Sequence, residues 1–375
     1  MILGIDASRA NVREKTGVEW YAWRIIQELK NIIPADVRVI LYSREPLEGA
    51  LAHLPRSWES RIIKAPFHRL WTQLGLSLEV LMRKPDALFV PAHVIPLFHP
   101  KSVMTLHDIG SIRYPKAYSW FDRVYHRWST KFALRHAARI ITPSRFTAQE
   151  IQEVFGREMH AEYANKIEVI HLGADASAQN GAPASSVRIP DDPYIVHIGR
   201  LERKKGTLDL IRAFEIVKED DEHRALKLVL IGRVGKGSEE IDGAVSASPY
   251  ADDIYRLGWL PESEKQQLLR RAHLFVFPSE YEGFGIPLLE AAAAGVPTVA
   301  RRVGSLIEIA SPGLVRWFDE SDELPSVLKE ALQDTEWRAA ARRDGPRHAT
   351  RFSWRAAAMR TWEVLESVLR EQPAM

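Results

Sequence analysis

Short apolar runs recur along the whole chain, with helically spaced stretches between many of them. In the first half they are residues 1–5, Val37–Tyr42, Arg61–Lys64, Ala87–Val90, Ser102–Leu106, Arg139–Thr142 and Lys166–Leu172. Runs this short that stay apolar on both faces suit strands covered on both sides, and intervening helices make the sheet parallel. Val18, Ala22, Ile25, Ile26, Leu29 and Ile33 recur at the spacing of a helix, and Thr147-Ala-Gln-Glu150 reads as a capping box opening another. A polar, small-residue stretch at 174–190 then interrupts the pattern and reads as a linker.

A second series follows: Pro193–Ile198, Lys227–Ile231, Ile254–Leu257, Leu274–Phe277, Thr298–Ala300 and Leu314–Trp317 as strands. Leu208–Val217, Ser263–Arg271, Leu288–Ala294 and Leu324–Leu332 read as helices. A chain of 375 residues exceeds one ordinary core. The expectation is two Rossmann-like, doubly wound α/β domains facing each other across a cleft, at 1–175 and 191–352 with 176–190 between them. Residues 353–375 read as a helix, through Trp354, Ala358, Trp362 and Leu365, that packs back on the first domain.

The most informative stretch is Glu282-Gly-Phe-Gly-Ile-Pro-Leu-Leu-Glu290. It joins the strand Leu274–Phe277 to a helix whose first residue is expected to be Pro287, where a missing N–H costs nothing. Gly283 and Gly285 let the backbone approach a ligand, and a helix N-terminus offers unpaired N–H groups. Glu282 on the loop and Glu290 in the first helical turn are placed to point at one ligand. The same residues also suit a plain strand–loop–helix turn with two solvated glutamates. Gly199-Arg-Leu-Glu-Arg-Lys-Lys-Gly206 joins the first strand of the second domain to its first helix, and Arg200 and Lys205 there suit a diphosphate. His107 follows a strand of the first domain, at the sheet edge where ligands bind. Gly17 sits in the first strand–helix loop, a weaker anion-site signal.

Composition excludes several classes. The chain has no cysteine, so disulfide and thiolate chemistry are absent, which suits a reducing compartment. The N-terminus reads as a strand, not a signal peptide, and no apolar run approaches bilayer length. The expectation is a cytoplasmic protein. Net charge is +2, with 24 Lys+Arg against 18 Asp+Glu in residues 1–180 and the balance reversed beyond them. That asymmetry suits an anionic partner, but no zinc-finger or basic-zipper spacing points to nucleic acid. Arg123, Arg127, Lys131, Arg135 and Arg139 step by four along a helix at about 119–138, interleaved with Tyr118, Trp120, Phe121, Tyr125, Trp128 and Phe132. This stretch, 113–139, suits either peripheral contact with an anionic membrane or a solvated basic face with its aromatics in the core. No Asp-x-Asp, Walker or Gly-x-Ser-x-Gly motif is present.

Together these stretches resemble the retaining glycosyltransferases of family 4, which have the GT-B architecture. The likeness rests on 199–206, on Pro278–Pro297 with its paired glutamates, and on Thr105-Leu-His-Asp108 with Thr142-Pro-Ser144. It implies that Arg200 and Lys205 hold a donor diphosphate and Glu290 the ribose. It gives the transferred sugar to Glu282, the 283–286 backbone (Gly283, Phe284, Gly285, Ile286) and His107. Leu260 matches a position lining the nucleobase pocket. Relatives often carry a double glycine where this chain has only Gly17, and Asn-Gly-Val-Asp where it has Leu172-Gly-Ala-Asp175. The wording of the first domain looks most like bacterial mannosyltransferases of surface-polysaccharide assembly. The implied reaction is metal-free, cofactor-free retaining transfer from a nucleotide sugar, best guessed as GDP-mannose, to a glycan or lipid-linked acceptor. A GT-B-shaped epimerase or phosphorylase and a non-catalytic sugar-nucleotide binder are the alternatives.

Overall fold

A computed structural model describes residues 1–65, 70–158, 161–174 and 191–371. It divides into two compact units. One comprises Met1–Gly173 with Phe352–Met375, the other Ala174–Arg351. The stretch read as a linker, 176–190, lies outside the described residues, as does Asp175.

The first unit holds a seven-stranded sheet. Its strands are β1 (Ile2–Asp6), β2 (Arg38–Ser43), β3 (Trp58–Ile62), β4 (Ala87–Val90), β5 (Lys101–Thr105), β6 (Arg139–Thr142) and β7 (Ile167–Val169). All neighbours pair in parallel, in the order β3-β2-β1-β4-β5-β6-β7. The apolar runs became strands because helices cover both faces: every residue of β4 is buried. β3 starts earlier than its apolar signal suggests. Trp58 pairs with Val39 and is buried, while Ile63 and Lys64 fall beyond the strand. The helix Trp354–Arg370 belongs to this unit, and Trp354, Ala358, Trp362 and Leu365 lie on its buried face. It packs against the helix Gly17–Leu29 and the edges of β4, β5 and β6.

The expected capping box is displaced. The helix is Arg145–Phe155, and its cap is Ser144, whose hydroxyl accepts from the Thr147 N–H at 3.0 Å. Thr147 is therefore inside the first turn, and Glu150 forms a two-pronged pair with Arg113 at 2.6 and 2.7 Å instead of reaching back to a cap. Two Ser/Thr candidates three residues apart made the motif ambiguous, and the earlier one prevailed.

The second unit holds a six-stranded parallel sheet of β8 (Tyr194–Ile198), β9 (Lys227–Ile231), β10 (Ile254–Gly258), β11 (Leu274–Phe277), β12 (Thr298–Arg301) and β13 (Val315–Phe318). The order β10-β9-β8-β11-β12-β13 reverses direction between β8 and β11. In an open α/β sheet a crevice for ligands opens at that switch, outside the carboxyl ends of the strands. The helices Ser238–Ala247, Gly304–Ile309 and Thr335–Ala349 carry no clear apolar stripe in the sequence, and the last contains Pro346. No helix among the described residues is long and apolar enough to cross a membrane.

Candidate active site

The two loops that flank the second sheet's switch point are the two motif stretches. After β8, residues 199–206 turn over a short 3-10 segment, Arg203–Lys205, into the helix Thr207–Lys218. Gly206 has φ +67°, and a Cβ there would lie 2.2 Å from the Pro278 carbonyl oxygen. Glycine is needed both for the left-handed turn and for the close passage of the second loop. The Glu280 N–H donates to the Lys204 carbonyl at 3.0 Å, so the loops are stitched together.

Across that seam Lys205 Nζ donates to Glu282 Oε1 at 2.6 Å. Both side chains are largely buried, at 17% and 13% exposure, and the pair is charge-assisted at short range. The Glu282 carbonyl accepts from Ser305 Oγ at 2.6 Å, which fixes the loop from the helix Gly304–Ile309. Gly285 caps the helix Ile286–Ala293 at φ +106°, with room for a Cβ taken by Leu306 Cδ2 at 2.2 Å. Gly283 and Phe284 are buried in this turn, and Ile286 is half-buried at the helix start.

Two details differ from expectation. The helix begins at Ile286, so Pro287 is its second residue, and Glu290 lies beyond the first turn. Glu290 has its own counter-ion: Lys265 Nζ reaches both carboxylate oxygens at 3.0 Å and Glu262 at 2.9 Å. Burial pulls the Lys265 ammonium pKa down, but Glu290 and Glu262 outweigh it and hold it above its ordinary value. The two glutamates therefore rest on separate lysines. Lys265 escaped the sequence reading because, three residues after Glu262 on a polar helix, it looks like a surface ion-pair partner.

Arg200 is half exposed and makes a long ion pair with Glu202 at 3.7 Å. A guanidinium held this loosely can turn to an arriving anion. Leu260 is half-buried between β10 and the helix Glu262–Arg271. Beneath the first loop, His197 is fully buried on β8. Its Nδ1–H donates to the Val276 carbonyl at 3.1 Å, and burial pushes its pKa down to about 4, so it is neutral.

In the first unit His107 lies two residues beyond β5 and is buried. Its Nε2 is 3.2 Å from the Pro91 carbonyl, and its ring packs edge-on against Tyr21 (4.6 Å) and His93 (5.2 Å). Burial lowers its pKa, opposed by Pro91 and Asp108, so the ring is neutral. Gly17 is the first residue of the helix that carries Tyr21, and nothing lies within 4 Å of a Cβ placed there. The second unit thus brings Arg200, Lys205, Glu282 and Glu290 to one sheet edge, while His107 and Gly17 lie in the first, His107 against Tyr21 of the helix that Gly17 starts.

The fold is the GT-B architecture of glycosyltransferases. Residues 182–348 match the model for glycosyl transferases group 1, and residues 15–178 that for glycosyltransferase family 4. O-antigen chain mannosyltransferase B of Escherichia coli is 30% identical over 272 residues, 70% of each chain. The chain therefore belongs to glycosyltransferase family 4. Serotype-specific mannosyltransferase WbdA of Escherichia coli is 25% identical over 369 residues, 91% of this chain but only 43% of that protein. HepE from Anabaena, solved in complex with UDP-glucose, superposes with a TM-score of 0.74 over 98% of this chain and all of that one, at 20% identity.

Proposed function

We propose that this glycosyltransferase moves mannose from GDP-mannose to a glycan or lipid-linked acceptor, with retention and without a metal, in the assembly of a bacterial surface polysaccharide. It works in the cytoplasm, at the inner face of the membrane. The observation that carries the donor assignment is the Lys205–Glu282 pair bridging the two switch-point loops. The names of the mannosyltransferase relatives support the sugar.

The resting pair gives each residue a task. An arriving diphosphate competes for Lys205 and draws Arg200 from its loose contact. Glu282 is then released towards the transferred sugar, while Glu290, still paired with Lys265, takes the ribose hydroxyls. As the anomeric C–O bond to phosphate breaks, negative charge grows on the leaving diphosphate, where two cations stabilise it best. The acceptor oxygen bonds to the anomeric carbon from the same face, and its proton passes to the departing phosphate oxygen. No step needs a protein nucleophile.

The test is transfer from GDP-α-mannose to a lipid-tailed mannoside, followed by NMR of the new linkage, with and without EDTA. An α-linked product formed equally in EDTA is expected. A β-linked product or loss of activity in EDTA would overturn the mechanism, and transfer only from another donor would overturn the sugar.

A further inference from the structure

The two strands that flank the second sheet's switch point part before their ends. β8 and β11 pair at Ile195 with Leu274 and at Val196 with Phe275. Beyond that, β8 stays paired with β9 up to Ile198, and β11 with β12 up to Phe277. The sheet therefore forks after Val196, and His197 sits at the fork. It is wholly buried, and its Nδ1–H crosses to the Val276 carbonyl of β11 at 3.1 Å. The imidazole spans the gap that the diverging backbones leave.

Its neighbours on β8, Val196 and Ile198, are apolar, as a strand covered on both faces requires. A histidine between them buries two polar nitrogens, and only one is used. Nε2 has no hydrogen-bond partner among the described residues. The ring is neutral and donates from Nδ1, so Nε2 carries a lone pair and can only accept. Nε2 is also the atom nearest to a Cβ built on Gly199, at 3.4 Å, which sets it beside the start of the first loop.

Two hydroxyls share its condition. Thr207 and Ser279 follow Gly206 and Pro278, the residues that meet at the seam between the loops. Both are wholly buried, and Thr207 Oγ1 and Ser279 Oγ have no hydrogen-bond partner among the described residues. Unmatched polar atoms are rare in a packed interior, and three around one seam mark the floor of a site.

The charges that act on the imidazole come from the two sides of that seam: Lys205, which opposes its protonation, and Glu282, which favours it. Lys205 is the donor that changes partner when a ligand arrives. Its ammonium has three N–H groups, and Glu282 takes one at 2.6 Å. Once Glu282 turns to the sugar, the flexible stem of the lysine gives the ammonium no direction of its own. A fixed acceptor beneath it does, and a neutral one leaves the full positive charge to the diphosphate.

We propose that His197 is a positioning residue of the donor site: its Nε2 accepts a hydrogen bond from the Lys205 ammonium when Lys205 leaves Glu282 for the diphosphate. The proposal rests on the donor reading above and adds to it the group that steers the lysine.

Isothermal titration with GDP on single and double variants of the full chain tests it. In His197→Asn the amide nitrogen takes the place of Nδ1 and keeps the Val276 bond, with nothing at the Nε2 position. In His197→Gln the longer amide restores an acceptor there. His197→Asn should weaken GDP binding about tenfold, the worth of one hydrogen bond to a charged group, and His197→Gln should recover most of it. In the Lys205→Met background His197→Asn should cost nothing further, because it acts through the lysine. In the wild type, the 15N resonance of Nε2 should move upfield when GDP is added, which needs no variant to fold. Unchanged GDP affinity in His197→Asn, while Lys205→Met binds weakly, would overturn the proposal and leave the donor reading standing. An equal loss from both His197 substitutions, a loss that persists without Lys205, or an Nε2 resonance that GDP does not move would overturn it too. Unchanged affinity in Lys205→Met would overturn both.

Discussion

Lys205→Met removes the cation proposed to hold the donor diphosphate. Two losses follow, and they separate. In the free protein the Glu282 carboxylate, 13% exposed, loses its 2.6 Å partner. An unpaired buried charge costs about 3–5 kcal/mol, and the residual exposure of this pair reduces that to about 1.5–3 kcal/mol. With nucleotide present, one charge-assisted hydrogen bond to the diphosphate is missing. That is again about 1.5–3 kcal/mol, or about 10- to 150-fold in Kd. Lys205→Met/Glu282→Gln removes the stranded charge as well, so stability should recover while nucleotide affinity does not. Isothermal titration with GDP and thermal melts on the wild type, both single variants and the double variant measure each arm. GDP affinity unchanged in Lys205→Met would refute the phosphate role. A double variant as unstable as Lys205→Met would refute the account of the resting pair.

Further outcomes follow from the same geometry. Glu290→Gln should weaken GDP binding but leave inorganic pyrophosphate binding unchanged, since the ribose contact alone is altered; equal losses in parallel titrations would contradict the assignment. Gly285→Ala forces a side chain to φ +106° beside Leu306, and should cost about 1–3 kcal/mol, or about 2–4 °C in melting point per kcal/mol. An unchanged melt would show that the cap relaxes freely. His197 has a folded pKa of about 4 against an ordinary 6.5, so the unfolded chain takes up its proton first. Its contribution, about 3 kcal/mol at most, is present above pH 6.5 and is lost as pH falls towards 4. His197→Gln should flatten the melting-point slope over that window, and an unaltered slope would contradict the buried neutral imidazole.

Much of the fold was legible because parallel strands covered on both faces must be apolar throughout, and those runs stand out against amphipathic helices. β3, which starts before its apolar signal, is the edge strand where that rule weakens: its middle, Glu59-Ser60-Arg61, is polar, with Glu59 and Arg61 half-buried and paired with each other, so the apolar signal came from Ile62 at its end and Ile63 beyond it. In the site, glycine spacing found both loops because Gly206 and Gly285 occupy backbone conformations that other residues rarely adopt. What the sequence could not supply were partners distant along the chain. Lys205 meets Glu282 across 77 positions, and Lys265 meets Glu290 across 25. The basic helix has a distant partner too: Glu158, which pairs with both Arg127 and Lys131, lies outside that helix. Local spacing shows which face a residue occupies on its own helix, not what another element brings to that face.

The central claim is that the second unit binds a nucleoside diphosphate at its switch-point loops. Thermal stabilisation by GDP, UDP, dTDP and ADP over a range of concentrations tests it most directly, since a ligand that binds only the folded state raises the melting point by mass action. The account predicts a concentration-dependent rise that is largest with GDP. No rise with any of the four would contradict it.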